Sequence, residues 1–305
     1  MKYQTKRQRV RIGILLASFA LFPVTIFYFS PYLIVWGAFQ GVVAGSAIAF
    51  GVQLVSAIFL RRACCGWICP AGGFQELEAQ AVEKPSKPGK RDMVKWVIWV
   101  PWIASIAAGF IVAGGVSHVD PLFHIDGGIS VSSPGAMVVY LIIVALFFIP
   151  NLFLGRRAMC HCICWMAPFM IIGEKLGAAL HAPQLHVAAD PSKCVSCGLC
   201  EKACPMSLPV SELLKDGAIT HSECIQCAAC CDSCRKDALK LEFGHCRKQM
   251  PNDPENATPH FGPREEDDDA DGGLSAMQAP KKGAETSRLD VPLRLAAVLS
   301  PCDST

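Results

Sequence analysis

No charged residue occurs between Ile12 and Leu60. At ~1.5 Å of rise per residue, a helix over that run is far longer than one crossing of a ~30 Å hydrocarbon core needs. The stretch is therefore read as two crossings. The break falls at Ser30, Pro31 and Tyr32, because proline removes a backbone donor and disfavours helix at the residue before it. Helix one is expected from Ile12 to Phe29 and helix two from Val35 to Leu60. A third runs from Trp96 to Val116, with Pro101 near its start, and a fourth from Ala136 to Gly155, after the Gly/Ser/Pro-rich stretch 127–135. Composition agrees: 52% of residues are apolar and only 18% charged, and the mean hydropathy of +0.35 is too high for an ordinary soluble domain.

Basic residues set the expected orientation, since Lys and Arg stay on the cytoplasmic side of a span. Lys2, Lys6, Arg7, Arg9 and Arg11 precede helix one; Arg61 and Arg62 follow helix two. Lys84, Lys87, Lys90, Arg91 and Lys95 precede helix three, and Arg156 and Arg157 follow helix four. The opposite loops, around Pro31 and from Ser117 to Pro134, hold no Lys or Arg. Both termini are thus expected in the cytoplasm of a bacterium, with the chain multi-pass in its inner membrane and in contact with lipid. The first apolar run is read as a retained span; Ala17-Ser18-Phe19-Ala20 offers small residues to a signal peptidase, but cleavage would leave three spans and put the ends on opposite faces. The net charge of +2 gives no global attraction to nucleic acid. The basic segment from Lys84 to Arg91 is short, and its place beside a span explains it.

Seventeen cysteines dominate the chemistry. Cys194, Cys197, Cys200 and Cys204-Pro205 spell C-x2-C-x2-C-x3-C-P, the run that holds a [4Fe-4S] cluster in bacterial ferredoxins. Cys224, Cys227, Cys230 and Cys234 repeat the spacing, with Arg235 in place of the proline. In such pairs the fourth cysteine serves the other cluster. One cluster is therefore assigned to Cys194, Cys197, Cys200 and Cys234, and the other to Cys224, Cys227, Cys230 and Cys204. All-cysteine zinc sites share C-x2-C pairs, but two matched runs favour iron, and a reducing cytoplasm disfavours disulfides. Cys231 is surplus: it either packs as a small side chain or shifts the register by one.

A second constellation follows the spans. Arg61-Arg62-Ala63-Cys64-Cys65-Gly66-Trp67-Ile68-Cys69-Pro70 follows helix two, and Arg156-Arg157-Ala158-Met159-Cys160-His161-Cys162-Ile163-Cys164-Trp165 follows helix four. Were these segments to continue as helix, cysteines four apart would share one face. Two such faces would offer Cys65, Cys69, Cys160 and Cys164 to a third iron–sulfur or other metal centre, or to a redox-active thiol pair; packed structural thiols are the plain alternative.

Up to about residue 245 the chain resembles the NapH-type membrane polyferredoxins, the quinol dehydrogenase subunit accompanying periplasmic nitrate reductase. It is also similar to the methylamine-utilisation, nitrous-oxide-reductase accessory and oxidase-assembly polyferredoxins. Four spans, two C-x3-C motifs and two ferredoxin runs carry the resemblance. Cys65 to Pro70 matches the family motif in full, whereas Cys160 to Trp165 lacks the adjacent proline, Pro168 arriving later, and Cys162 competes with Cys164. The resemblance implies oxidation of a membrane quinol, with electrons passed to or from a partner redox protein such as a ferredoxin, cytochrome or terminal reductase. No flavin-attachment domain is visible.

The expected fold is an α-helical membrane protein. A four-helix transmembrane bundle occupies residues 1–173, a cytoplasmic bacterial-type two-cluster α+β ferredoxin module residues 174–245, and a disordered tail residues 246–305, which carries the acidic run Glu265 to Asp271 and a short apolar patch, Val291 to Leu299. The expected function is an electron relay between quinone and partner. The alternative is a redox-sensing or maturation factor for a respiratory metalloenzyme. His118, Asp120, His124 and Asp126 are candidate proton acceptors for a quinol, or ordinary loop residues. His161 is a candidate ligand or proton carrier, or a packed side chain. Trp36, Trp67, Trp96, Trp99, Trp102 and Trp165 are expected as interfacial anchors, and Gly41 and Gly45 as a GxxxG helix contact.

Overall fold

The computed structural model describes residues 5–245 apart from 80, 82, 83, 87, 88 and 126; the expected tail and Asp126 lie outside the described residues. Helix α1 (Lys6–Ala20) is capped by Thr5, whose hydroxyl accepts the Gln8 N–H at 3.3 Å. It ends just before the short helix α2 (Phe22–Thr25) and a 3₁₀ turn (Ile26–Phe29), which bend 57° away from it. Pro23 lies in the first turn of α2, where its missing N–H leaves nothing unpaired.

Helix α3 (Pro31–Phe39) begins at the predicted Ser30-Pro31 break. The helix expected from Val35 to Leu60 is divided. Gly41 adopts φ +70°, strand β1 (Val42–Ala44) follows, and helix α4 (Gly45–Leu60) completes the segment. The cause is tertiary: β1 pairs in parallel with strand β2 (His118–Asp120), and a Cβ on Gly45 would sit 2.1 Å from the Pro121 carbonyl oxygen. Gly41 and Gly45 thus admit loop backbone rather than a neighbouring helix.

After α4 come the short helices α5 (Ala63–Trp67) and α6 (Pro70–Glu78), then the long helices α7 (Val94–Val112) and α8 (Pro134–Leu154). Helices α9 (Ala158–Cys162) and α10 (Ala167–Ala179) follow, and α10 packs along α4. Two helices, Arg91–Val112 and Pro134–Leu154, are long and apolar enough to cross a membrane. Lys6–Ala20 and Phe22–Phe29 pass that test only together, as a bent pair, and α4 is apolar but spans 16 residues. The described residues thus meet the expected four spans only in part.

The cysteine-rich part folds on a three-stranded antiparallel sheet. Strand β3 (Gln184–Ala189) lies between β4 (Ala218–Ile219) and β5 (Leu239–Gly244), with Val187 opposite both Ile219 and Leu241. Helices α11 (Leu199–Ala203), α12 (Val210–Leu213) and α13 (Ala229–Ser233) surround it. Val187, Met206, Leu208, Leu214, Ile219, Ile225 and Leu239 are buried together with Cys204, Cys227, Cys230 and Cys231.

Candidate metal centres

Both ferredoxin runs shape their backbone in the same way. Ser196 and Gly198 have φ of 52° and 69°, and the matching Gln226 and Ala228 have 51° and 58°. Three residues past each fourth cysteine the left-handed conformation recurs, at Ser207 and Asp237. Gly198 and Ala228 each start a five-residue helix, α11 or α13. Alternating conformations of this kind turn successive N–H groups to one side, a concavity suited to an anionic cluster. Only one of the six is glycine, and non-glycine residues in such regions cost on the order of 1–3 kcal/mol each unless their surroundings enforce them.

The thiols group across the repeat. Cys204 lies within electrostatic reach of Cys227 and Cys230, and Cys224 of Cys230, Cys227 and Cys204. Burial pushes Cys204 up to about 12 and Cys224 higher still, so these thiols keep their protons until a cation replaces them. Cys204, Cys227 and Cys230 are buried, whereas Cys197 is exposed and Cys194, Cys200 and Cys234 are partly so. Cys224 is half-buried, so one set has three of its four thiols buried and the other has none. Cys231 is buried, its thiol against that of Cys230.

The C-x3-C segments do not continue as helix. Each leaves a short helix through a tight turn in which the second cysteine's N–H donates to a carbonyl five residues back: Cys69 to Cys64 at 2.9 Å, and Cys164 to Met159 at 3.0 Å. The two turns are thus alike although Cys164 has no proline after it. They bring Cys65, Cys69, Cys160 and Cys164 to the lining of one cavity, with Arg62, Gln75 and Trp165. Gln75 donates to the Cys160 sulfur at 3.2 Å. Burial pushes Cys164 up to about 12 and Cys69 well above its ordinary value. Cys162 is buried elsewhere, in the field of Asp92, Arg91 and Lys95.

A buried ionic layer lies beside this cavity; its cations figure in the sequence reading only as orientation signals, and its glutamates not at all. Arg11 and Arg157 share Glu76, each at 2.8 Å. Arg62, at 2.8 Å, and Lys95 share Glu223, and Arg61 pairs with Glu174. Five of the buried cations thus sit on three carboxylates. Arg156 is a further buried cation, and Glu78 bonds Asn151 instead. Burial alone would raise Glu223, but Arg62 and Lys95 outweigh it and hold the carboxyl at about 2.

The same layer joins the C-x3-C turns to the inner ferredoxin run. A Cβ on Gly66 would meet the Ile225 carbonyl oxygen at 2.3 Å and the Cys227 Cβ at 3.5 Å. The Trp67 indole donates to Gln226 O at 3.1 Å, Gln8 to Cys227 O at 3.0 Å, and Arg11 to Gly66 O at 3.2 Å. His161 is packed, its ring 3.1 Å from Met206 O and 3.0 Å from Asp92. Trp102 and Trp165 donate to Pro31 O and Phe29 O, tying down the break at Ser30 rather than serving only as anchors. His118, Asp120 and His124 lie beyond the far end of α7, which rises about 26 Å from Lys95 to Val112.

Among the described residues no three His, Cys, Asp or Glu side chains gather closely enough to hold a single metal ion. Buried all-thiol sets around a cavity and anion-seeking backbone turns fit a multi-iron cluster.

Comparison with known proteins agrees with this chemistry. A 4Fe-4S dicluster domain family matches residues 193–239, and a 4Fe-4S binding domain family matches residues 42–88. MJ0750 and MJ0749 of Methanocaldococcus jannaschii, both of unassigned function, are each 26% identical. The match to MJ0750 covers 63% of this chain and 76% of that protein; the match to MJ0749 covers 62% and 68%. YccM of Escherichia coli, named as a candidate electron transport protein, is 23% identical over 67% of this chain and 57% of its own length. No solved structure matches the chain. The chain thus carries two segments that match 4Fe-4S binding families, residues 42–88 and 193–239.

Proposed function

We propose that this protein carries electrons through the cytoplasmic face of a bacterial inner membrane, between the quinone pool and a partner redox protein. In this reading three clusters lie in series. Cys65, Cys69, Cys160 and Cys164 hold the one nearest the bilayer; Cys224, Cys227, Cys230 and Cys204 hold the inner ferredoxin cluster. Cys194, Cys197, Cys200 and Cys234 hold the outer one, where the exposed Cys197 edge meets the partner. The long apolar helices α7 and α8 would anchor the chain in lipid, with both termini on the cytoplasmic side.

The observation that carries the proposal is the contact of Gly66 with the Ile225 carbonyl. It sets the C-x3-C turn directly against the inner ferredoxin run. The charge layer supports a cluster there too: four thiolates around a cubane bring net negative charge, and an excess of buried cations without an anion between them would be costly. The family match over residues 42–88 contains only Cys64, Cys65 and Cys69, so a fourth thiolate must come from elsewhere, and Cys160 and Cys164 share the cavity.

When bound, a [4Fe-4S] cluster takes and gives one electron at a time. The chain supplies everything else. Gly66 keeps two backbones in contact, Trp67 and Arg11 lock them, and Arg62 and Arg157 place positive charge beside the thiolates. A quinol releases two electrons and two protons, so one-electron sites in line divide the pair. Anaerobic protein in lipid tests the reading. Menadiol, a soluble naphthoquinol, is expected to reduce the outer cluster, followed by electron paramagnetic resonance, and Cys65→Ser is expected to slow this more than tenfold. Equal rates would remove the membrane-side centre from the path, and no reduction of either protein would remove the quinone pool.

A further inference from the structure

Resting on the relay reading, we propose that a quinone headgroup binds in an apolar cavity of about 290 Å³ between α4 and α10, with Gln53 as its hydrogen-bond partner. Ala49, Val52 and Gln53 of α4 form one side and Met170 of α10 another. Cys65 and Cys69 line both this cavity and the four-cysteine cavity behind it. A ring bound here is separated from the proposed membrane-side cluster only by the side chains of that shared wall.

The polar detail selects the occupant. Gln53 Oε1 is buried and has no hydrogen-bond partner among the described residues. An unsatisfied buried acceptor is costly, and turning the Gln53 amide toward the cavity it lines would offer that acceptor to a quinol hydroxyl. The same amide carries N–H donors for a quinone carbonyl, so one side chain serves both redox forms. A lipid acyl chain would offer Gln53 nothing. Ligand sites are mostly apolar with few polar groups and begin at ~300 Å³, a size suited to a ring with its tail left outside. Val52 and Ile68, 63% and 60% exposed, flank the cavity with outward apolar surface along which an isoprenoid tail can leave.

The test uses the full-length protein, purified without oxygen into lipid nanodiscs and photolabelled with an azido-quinone carrying a short isoprenoid tail. Label is expected on residues 49–69 and is displaced by excess unmodified quinone. Gln53→Leu, close in volume, is expected to cut labelling at limiting probe about tenfold, the loss of one hydrogen bond of roughly 1.4 kcal/mol. Ala49→Trp, which fills the cavity, is expected to abolish it. Both variants should keep wild-type iron content, and if Ala49→Trp does not, Gln53→Leu alone decides. Label elsewhere, label unchanged by the variants, or label displaced equally by a fatty acid would overturn the site. Menadiol reduction of the clusters is followed in the same samples. Reduction with label elsewhere leaves the relay standing and this site refuted, whereas label here without reduction supports the site and refutes the relay.

Discussion

The carbonyl oxygen of Ile225 lies 2.3 Å from the point where a side chain on Gly66 would begin. Residues 159 positions apart therefore touch backbone to backbone, and the contact tolerates nothing larger than hydrogen. Gly66→Ala must push the ferredoxin run away from the C-x3-C turn, at a cost of about 1–3 kcal/mol for an overpacked site. Gly51→Ala, in α4 with nothing within 4 Å, should be neutral or stabilising by up to ~1 kcal/mol. Thermal unfolding in detergent checks the pair; equal midpoints for the two variants would mean that the contact does not matter.

Glu76 carries Arg11 and Arg157 at once, all three being buried. Glu76→Gln leaves both guanidiniums without their carboxylate and is expected to destabilise by roughly 3–5 kcal/mol. Burial works against ionisation of Glu76, but Arg157 and Arg11 prevail and hold its pKa below the ordinary value. A carboxylate depressed on folding adds stability that is complete above the unfolded pKa of about 4.3 and is lost as pH falls through the folded one. The gap between wild type and Glu76→Gln should be constant near neutrality and close below about pH 4. Unfolding curves across that range measure it, and a gap that widens in acid would contradict the pairing.

Arg62 sets its positive charge beside the Cys65 thiol and pairs with Glu223. Arg62→Gln removes a buried positive charge from the proposed membrane-side centre, which favours its oxidised form. A negative shift of roughly 60–120 mV is expected, equivalent to about 1.4–2.8 kcal/mol for one electron. The outer cluster, with Cys197 at the surface, should move much less. Redox titration followed by electron paramagnetic resonance separates the two, and equal shifts would argue against a local effect.

Membrane orientation is open to direct labelling. Ile129→Cys, in the loop before α8, should react with an impermeant maleimide in intact spheroplasts, and Lys240→Cys, on β5, only after the membrane is opened. The reverse pattern would invert the proposed topology, and labelling of both in sealed cells would remove the membrane from the account.

What could be read from the sequence depends on how local the cause was. The ferredoxin runs were legible because ligand spacing and backbone turns lie within a few residues: Ala228 adopts the conformation of Gly198 although it is not glycine. Helices α7 and α8 were legible from continuous apolarity. The division of the second apolar run was not, because three residues of β1 pair with a strand 76 positions away. Close glycine contacts between helices sit elsewhere, among them Gly173 and Gly177 of α10 against the Leu54 and Ile58 carbonyls of α4 and Gly73 of α6 against the Leu15 carbonyl of α1. Nor did any local pattern announce the ionic layer, since Glu76, Glu174 and Glu223 find their cations 65 to 161 positions away. The available hint was that these are glutamates in otherwise apolar surroundings. The competition between Cys162 and Cys164 turned on a missing proline, whereas the backbone forms the same turn without it.

Iron and acid-labile sulfide counted on anaerobically purified full-length protein test the central claim most directly. Three four-iron clusters predict about twelve irons and twelve sulfides per chain, falling to about eight in Cys65→Ser and Cys164→Ser and unchanged in Cys162→Ser. A wild-type content of about eight that none of these variants alters would contradict the membrane-side centre, and protein without sulfide would contradict the whole account.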